Sequence, residues 1–361
     1  MTGSGYNLEI LLQSLAEREG SDLYLAVDAY PMVAVHGELQ EIGTDLLTPD
    51  QMQSLAKQAM NETQWQEFLK ALEINLAYST GGFRYRLNVY HQRSTMAMVA
   101  RLIRPNIATI SQLGLPGVLD EIMLSERGII LITGATGSGK STTLAAMIDY
   151  RNRNTTGHIV TIEDPVEFIH EHKRCIISQR EVGIDTLSFH EALKSALRQA
   201  PKVILIGEIR DAETARFAIH ASDTGHLVLA TLHTNSANQT IERLLNMFPI
   251  EMERQVLMQL SMNLRGIISQ RLVPRIDGGR IAAVEILLNT SRVEDLILQG
   301  SVQELKSVMA KGNREGMQTF DQALHMLVQQ KIIAEEVALK FADSANDLKL
   351  RIRGIGGSGF A

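Results

Sequence analysis

The segment Gly128-Ile-Ile-Leu-Ile-Thr-Gly-Ala-Thr-Gly-Ser-Gly-Lys-Ser-Thr142 decides the fold class of this chain of 361 residues. Its second part has the spacing G-x-x-x-x-G-K-[ST] of a Walker A loop, which makes a cradle for phosphates. Glycines let the backbone close around an anion, so that successive N–H groups point inward. We expect the nucleotide to contact all nine loop residues: Gly134, Ala135, Thr136, Gly137, Ser138, Gly139, Lys140, Ser141 and Thr142.

The flanking sequence supports a real phosphate site rather than a chance glycine loop. The apolar, β-branched run 128–133 before the loop is typical of a buried parallel strand. The stretch 141–149 after it has helical propensity and would aim a positive helix end at the cradle. Lys140 should reach the β- and γ-phosphates, and the Ser141 hydroxyl should hold Mg²⁺. The sequence therefore predicts a P-loop that binds a nucleoside triphosphate, with ATP and Mg²⁺ as the ligands.

Composition narrows the class of protein. With 45% hydrophobic and 21% charged residues, a chain of this length is expected to form two domains with sizeable cores. A formal net charge of −6 argues against a broad nucleic-acid surface. Cys175 is the single cysteine, which excludes an intrachain disulfide, and we expect it to be buried. No apolar run approaches the ~18 residues of a membrane span, and no signal peptide is evident, so we expect a cytoplasmic protein.

Residues 1–104 differ in pattern from the rest and predict a small α+β module. The predicted elements are a helix over 8–16, strands within 22–35, a helix from 49 to about 72, and strands over 76–79 and 83–90. The Thr48-Pro-Asp-Gln51 capping box opens the second helix, and Gly81-Gly82 joins the last two strands as a hairpin. Residues 105–118 contain two prolines and few periodic apolar positions, which indicates a linker.

Residues 119–361 alternate between strands and helices over their first half. The predicted strands are the apolar runs 129–132, 159–162, 203–206 and 227–232, which favour a mostly parallel sheet covered on both faces. A capping box over Ser188–Glu191 opens a helix between two of them. After about Glu251 the chain is predicted to be wholly helical, with one apolar face that contains Met252, Val256, Leu260, Leu264, Ile267 and Ile268. The glycine-rich end, 354–361, is predicted to be a mobile tail.

Three more segments carry polar side chains where predicted strands end. They are Thr161-Ile-Glu-Asp-Pro-Val-Glu167, Val203-Ile-Leu-Ile-Gly-Glu-Ile-Arg-Asp211 and Gly225-His-Leu-Val-Leu-Ala-Thr-Leu-His233. Parallel strands bind ligands at their carboxyl ends, so we expect these segments near the P-loop. Glu163 is the candidate for polarising water, although a solvated acidic turn is the alternative. Glu208 ends a Walker B-like strand and can hold Mg²⁺ directly or through water. His226 and His233 are either structural or sensors of the γ-phosphate.

Together and in this order, these motifs resemble the secretion and type IV pilus ATPase superfamily, and in particular the PilT/PilU family of retraction ATPases, over nearly the whole chain. The resemblance implies an α/β fold, with a PAS-like N-terminal domain and a RecA-like P-loop NTPase domain, in a homohexameric ring. It also implies roles for residues of this chain: Glu163 as the catalytic glutamate, Glu208 as the Walker B carboxylate, and His226 with His233 as a histidine-box pair.

Two features place the chain within that family. The segment Gln270–Val273 continues without the cysteine-rich zinc insert of assembly ATPases, and the N-terminal module is short, which favours retraction. Segments 316–324 and 342–350 resemble the PilU branch, and 292–297 reads Arg-Val-Glu-Asp-Leu-Ile where PilT members usually carry an A-I-R-N-L-I motif. The departure leaves open whether the chain retracts a pilus alone or only beside a second retraction ATPase.

The arginines and two further histidines have less specific patterns. Arg84, Arg86, Arg93, Arg101 and Arg104 cluster near the end of the N-terminal module, where a solvated strand face is the alternative to a functional role. The resemblance implies that some of them act as arginine fingers across a subunit boundary, and we select Arg86 and Arg101. Arg210 either serves the site or pairs with a nearby carboxylate. His170 and His172 are expected at the surface, because too few partners accompany them for a metal site.

The resulting hypothesis is a hexameric ATP-hydrolysing motor for type IV pilus retraction and twitching motility. Its implied partner is the platform protein of the inner membrane, to which the cytoplasmic ring would bind peripherally. Two alternatives stay open: an accessory ATP-binding ring subunit that depends on a partner motor, and a RecA-like nucleic-acid translocase. The acidic net charge and the lack of an aromatic-basic stacking surface count against nucleic acid as a partner.

Overall fold

Two β-sheets, one in each of two units, organise the chain. The computed structural model describes residues 6–35, 38–103 and 106–354. One unit contains the chain up to Asn106 together with Glu167–Ile169, and the other contains 107–166 and the chain from His170 onward. The predicted domain boundary at 104/105 and the tail beyond Gly354 lie outside the described residues.

The N-terminal unit is a six-stranded antiparallel sheet in the order β3-β2-β1-β6-β5-β4. Its strands are β1 (Asp22–Ala26), β2 (Met32–Val35), β3 (Glu38–Glu41), β4 (Glu73–Thr80), β5 (Phe83–Gln92) and β6 (Thr95–Ile103), and its helices are α1 (Leu8–Glu17), α2 (Pro49–Ala59) and α3 (Glu62–Ala71). Alternation along β5 explains the core: Tyr85, Leu87 and Val89 are buried, whereas the residues between them are only half-buried.

The predicted hairpin through Gly81-Gly82 and the capping box at Thr48 are confirmed. The single helix predicted from residue 49 to about 72 is wrong, because the chain forms α2 and α3 instead. Asn61 starts α3 with a second capping box, in which its side chain accepts from the backbone N–H of Gln64. A side chain that accepts from the free N–H groups at the start of a new helix interrupts the preceding helix. The pair Asn61 and Gln64 is visible in the sequence as this signal.

The second unit contains a seven-stranded sheet in the order β13-β12-β7-β11-β10-β8-β9. Its strands are β7 (Gly128–Thr133), β8 (Gly157–Glu163), β9 (Cys175–Glu181), β10 (Val203–Ile206), β11 (Leu227–Leu232), β12 (Leu264–Pro274) and β13 (Arg280–Leu288). Every pairing is parallel except that of β12 with β13. The four predicted apolar runs are therefore strands of one parallel sheet, and Cys175 is buried as expected.

Helices cover this sheet on both faces. They are α4 (Val118–Met123), α5 (Lys140–Asn154), α6 (Phe189–Ala196), α7 (Ala212–Asp223), α8 (Ala237–Leu245), α9 (Glu253–Asn263), α10 (Ser291–Leu298), α11 (Leu305–Lys311), α12 (Phe320–Gln329), α13 (Glu335–Phe341) and α14 (Ala345–Ile352). Short 3-10 turns occupy Leu197–Gln199, Ile250–Met252, Val302–Glu304 and Asn313–Glu315. Among the described residues, none of the helices is long and apolar enough to cross a membrane.

The prediction that the chain is wholly helical after Glu251 is wrong. Helix α9 ends at Asn263, and the chain continues into the two long strands β12 and β13. Ile267 and Ile268 show the reason, because they are adjacent yet both fully buried, in the cores on opposite faces of the sheet. Successive side chains of a strand point to opposite faces, so a continuous apolar run can mark a central strand as well as a helix.

The last three helices are tied to β12 by a charged cluster around Asp343. Arg271 on β12 and Lys306 on α11 each donate to its carboxylate at 2.7 Å. The Arg271 guanidinium also lies over the ring of Phe320, 3.8 Å from the centroid. Burial alone would raise the pKa of Asp343, but the hydrogen bonds from Lys306 and Arg271 outweigh it and hold this pKa below its usual value.

Candidate nucleotide site

The glycine loop turns out of a strand that is buried along its whole length. Strand β7 ends at Thr133, and Gly134, Gly137 and Gly139 follow with φ of +147°, +76° and +90°. A Cβ on Gly134 would lie 2.5 Å from the Gln270 carbonyl oxygen and from Ser138 Oγ. Glycine is therefore required at this position by close backbone approach as well as by its positive φ.

Lys140 is the first residue of α5 and is held over the loop. Its Nζ donates to the carbonyls of Gly134 at 2.8 Å and Ala135 at 3.1 Å, and the residue is only 9% exposed. Ser141 and Thr142 follow in the first helical turn, whose free N–H groups and positive dipole end favour an anion. This loop and helix start form the phosphate cradle that the sequence predicts.

A buried polar network supports the cradle from β12 and β13. The Thr133 hydroxyl donates to Ser269 Oγ at 3.1 Å, and Ser269 donates to Glu285 Oε1 at 3.4 Å. Beside it, Thr143 of α5 donates to Gln270 Oε1 at 2.9 Å. The sequence pattern does not point to these residues, because it predicts a helix for the segment that forms β12. The available signal was the run of polar residues at 269–271 between apolar residues.

Register brings four strand ends to one edge of the sheet. Leu131 pairs with Ala230, Ala230 with Ile206, and Ile206 with Ile162, so β7, β11, β10 and β8 are aligned side by side. Neighbouring strands are about 4.8 Å apart, which places the ends of the four strands within about 15 Å of one another. The segments after β7, β11 and β10 carry the P-loop, His233 and Glu208, and Glu163 is the last residue of β8.

Glu163 is the last residue of β8 and is half-buried. Its Oε1 accepts from the Thr161 hydroxyl at 2.7 Å and from Gln179 Nε2 at 3.4 Å. Gly207, after β10, comes very close: its N–H donates to the Ile162 carbonyl at 2.8 Å, and a Cβ on it would lie 3.2 Å from Glu163 Cα. Glycine at 207 thus lets the chain of Glu208 pass directly beside Glu163.

Two basic side chains lie against the Glu208 carboxylate, and one of them, Arg210, donates a hydrogen bond to it. His233 Nε2 lies 3.3 Å from Glu208 Oε1, and Arg210 Nε donates to Oε2 at 2.8 Å. Arg210 also lies 3.7 Å from the carboxylate of Asp164. The hydrogen bond to Glu208 and its charge raise the pKa of Arg210. The structure thus joins His233, Glu208 and Arg210 in one network, and Arg210 does pair with nearby carboxylates.

His226 does not join this group, although the sequence predicts the whole segment 225–233 near the P-loop. It precedes β11, and its carbonyl accepts from the N–H of Gly128, the first residue of β7. Its Nδ1 lies 3.0 Å from the Ala221 carbonyl. The six residues of β11 separate it from the edge that carries His233, a distance of about 20 Å at ~3.3 Å per residue. A strand between two histidines puts them at opposite edges of the sheet.

The two selected arginines lie together in the N-terminal unit. Arg86 on β5 and Arg101 on β6 are direct cross-strand partners, so their side chains share one face of that sheet. Arg101 is exposed and donates to Asp22 on β1 at 2.7 Å, whereas Arg86 is half-buried. Their expected role at a nucleotide stays a prediction, and Arg104 lies outside the described residues.

The prediction of a surface position is wrong for His170. His170 is only 9% exposed, and burial lowers the pKa of its imidazole to about 4. Its backbone N–H donates to Gln179 Oε1 at 2.8 Å. His172 is exposed as expected. His170 is thus a neutral, buried histidine that contacts Gln179, which in turn contacts Glu163.

The predicted Mg²⁺ ligands are oxygen donors of the kind that this ion prefers. Ser141 offers a hydroxyl at the start of α5, and Glu208 offers a carboxylate that is partly exposed. In the described ranges, no group of three or more His, Cys, Asp or Glu side chains could hold a metal ion. This donor set fits an ion that is bound by only one or two protein ligands together with phosphates and water.

Comparison with known proteins places this site in a family. Residues 75–279 match the family model for type II/IV secretion system proteins. The chain is 49% identical to the type IV pilus ATPase PilU of Pseudomonas aeruginosa over 96% of its length and 91% of that protein. It is 44% identical to the retraction ATPase PilT of the same organism, over 91% and 96%.

A solved structure agrees with the sequence matches. The crystal structure of the pilus retraction motor PilT with bound ADP superposes with a TM-score of 0.89 at 41% identity, over 95% of this chain and 98% of that one. The predicted α/β fold with an N-terminal domain and an ATPase domain is therefore confirmed. The chain belongs to the type II/IV secretion system protein family and, within it, to the PilT/PilU-type ATPases.

Proposed function

We propose that this chain hydrolyses ATP at the edge formed by β7, β11, β10 and β8, and that a homohexameric ring of it powers type IV pilus retraction. One observation carries the proposal: the phosphate cradle after β7, Glu208 after β10 and Glu163 at the end of β8 lie at one edge of a parallel sheet. This is the edge of a parallel sheet at which ligands bind. The relatives PilU and PilT are named as type IV pilus ATPases, which supports the same output here.

The residues of the cradle bind and orient the triphosphate. The N–H groups of 134–142 would surround the phosphates, and the positive end of α5 would stabilise their charge. Lys140, already directed toward the loop carbonyls of Gly134 and Ala135, would reach the β- and γ-phosphates. Phosphoryl transfer depends almost entirely on such positioning and electrostatic stabilisation.

Glu163 is the proposed general base. It would orient the attacking water and accept its proton as the oxygen bonds to the γ-phosphorus and the bond to ADP breaks. His233 and Arg210 would keep Glu208 in place beside it. Ser141 and Glu208 would hold Mg²⁺, which supplies charge neutralisation at the phosphates when bound. Arg86 and Arg101 are proposed to reach the nucleotide of a neighbouring subunit.

The ring and its partners extend this proposal to the cell. The homohexamer would act from the cytoplasm on the platform protein at the inner membrane, as a peripheral component. Identity is higher to PilU than to PilT of the same organism, at 49% against 44%. We therefore propose a ring of the PilU type, which works either alone or beside a second retraction ATPase.

The test is steady-state ATP turnover of the purified protein, with mass by light scattering, for the natural chain and Glu163→Gln. Glu171→Gln is a matched control, because it makes the same charge change at an exposed glutamate. We expect hexamers, turnover that Glu163→Gln reduces by at least about 100-fold, and retained nucleotide binding.

Other outcomes distinguish the alternatives. A ring without turnover would favour an accessory subunit that needs a partner motor. Turnover that requires added DNA would favour a nucleic-acid translocase. A Glu163→Gln variant that turns over ATP like the natural chain would remove Glu163 from the mechanism.

A further inference from the structure

We propose that Thr161 and Gln179 are positioning residues that fix the carboxylate of Glu163 for catalysis. This inference rests on the proposed function of Glu163 as the general base. It assigns a role to a buried hydroxyl and to β9, a strand that the sequence pattern does not predict. Neither side chain needs to touch the nucleotide, since both act through Glu163.

Strand register brings the three side chains together. Thr161 and Glu163 are two residues apart on β8, so their side chains leave the same face of the sheet. Gln179 on β9 is the direct cross-strand partner of Thr161. Direct partners have Cβ atoms about 5 Å apart and their side chains on one face. The side chains of Thr161, Glu163 and Gln179 therefore lie together on one face of the sheet, near the end of β8.

Both side chains donate to the same oxygen. The Thr161 hydroxyl lies 2.7 Å from Glu163 Oε1, and Gln179 Nε2 lies 3.4 Å from it. Thr161 is fully buried, so its hydroxyl would lose a hydrogen bond with water on folding without this partner. Two donors from different strands at one carboxylate oxygen restrict the rotation of the Glu163 side chain.

The backbone of His170 fixes the direction of the Gln179 amide. Its N–H donates to Gln179 Oε1 at 2.8 Å, so the amide oxygen must face His170. The NH₂ group then faces Glu163, which as a carboxylate can only accept. Reversal of the amide would lose both hydrogen bonds. His170 is buried, and its backbone N–H thus orients the amide that donates to Glu163.

Restricted rotation matters because a general base has to meet its proton within hydrogen-bond distance and in line. A misplacement of about 1 Å can reduce turnover about 100-fold without any change in chemistry. Loss of either donor should therefore lower kcat and leave nucleotide binding at the P-loop largely unchanged.

The experiment compares Thr161→Val, Thr161→Ser and Gln179→Met with the natural chain. Valine keeps the volume of threonine without a donor, serine keeps the hydroxyl, and methionine keeps the length of glutamine without an amide. We expect Thr161→Val and Gln179→Met to lower kcat by about 10- to 100-fold, with the Kd for a fluorescent ADP analogue within about twofold. Thr161→Ser should retain most of the turnover. Melting temperature controls for folding.

A double variant separates positioning from an independent effect. If Thr161 acts through Glu163, Thr161→Val should cause no further loss of single-turnover hydrolysis in the Glu163→Gln background. An additional loss of tenfold or more would overturn the inference, as would full activity of Thr161→Val and Gln179→Met beside an inactive Glu163→Gln. If instead Glu163→Gln is itself fully active, the assignment of the base fails, and the inference fails with it.

Discussion

Glu285 offers the sharpest test of the buried network beneath the P-loop. Its residue is 1% exposed, and its Oε1 accepts from the Ala237 N–H at 2.8 Å and from the Ser269 hydroxyl at 3.4 Å. Its Oε2 is buried without a hydrogen-bond partner among the described residues. Burial raises the pKa of Glu285, against the opposing effect of the Ala237 N–H. Because of this raised pKa, the natural chain should lose stability as pH rises. We predict that Glu285→Gln removes this loss.

The sign follows from proton linkage. Glutamate in the unfolded chain loses its proton near pH 4.3, whereas Glu285 in the folded chain keeps its proton to higher pH. Between these two values the folded state binds more protons, so the free energy of unfolding falls as pH rises. The slope from one such group approaches about 1.4 kcal/mol per pH unit within the window. Glutamine does not titrate, so the free energy of unfolding of the variant rises relative to that of the natural chain across the window. Above the window this difference stays constant.

The assay is urea unfolding followed by far-UV circular dichroism from pH 4 to pH 8. Only the difference between variant and natural chain is used, because other groups titrate equally in both. Trp65, the single tryptophan, lies in the N-terminal unit, and its fluorescence provides a separate signal for that unit. A second variant, Glu285→Leu, removes the acceptor and should be about 1–3 kcal/mol less stable than Glu285→Gln at neutral pH, since it leaves a buried N–H unpaired.

Two results would refute this reasoning. A stability difference between Glu285→Gln and the natural chain that is constant from pH 4 to pH 8 would mean that Glu285 does not titrate with a raised pKa. Equal stability of Glu285→Leu and Glu285→Gln at neutral pH would mean that the hydrogen bonds from Ala237 and Ser269 contribute nothing.

Three further outcomes are expected. Lys140→Ala should abolish tight binding of a fluorescent ADP analogue, because the phosphates lose their cation, and unchanged binding would show that the site is misplaced. Arg86→Ala should reduce ATP turnover in the assembled ring without lowering the melting temperature, and natural activity would return Arg86 to a solvated strand face. Asp343→Asn should cost about 1.5–3 kcal/mol at neutral pH, measured by urea unfolding, because Arg271 and Lys306 lose a charged partner. The pKa of Asp343 is lowered by folding, so this difference should shrink as pH falls through about 4 and below, and a difference independent of pH would contradict it.

Short sequence motifs predict much of the second unit. The spacing of the P-loop, the apolar runs of β7, β8, β10 and β11, and the capping box at Thr48 each depend on a few contiguous residues. Their geometry is set by sterics and by hydrogen bonds within that short stretch, so it can be inferred without knowledge of the fold. The parallel strand order also predicts that Glu163 and Glu208 lie at the same edge of the sheet as the P-loop.

Longer-range features were not accessible in this way. The run that contains Ile267 and Ile268 has the composition of either a buried helix or a central strand, and only pairing with β7 and β13 makes it β12. His170 looked like a surface residue, yet packing buries it behind Gln179. Burial depends on what the rest of the chain places over a side chain, and this information lies far away in sequence.

The nucleotide cradle, the carboxylates at the ends of the strands and the family resemblance can all be inferred from contiguous residues. The contacts between distant residues cannot: His233 meets Glu208 while His226 lies at the opposite edge, and Thr161 and Gln179 meet at Glu163, because the strands are paired in one particular register. Strand direction and pairing are fixed by burial over the whole sheet, and a shift of one residue would turn each of these side chains to the other face.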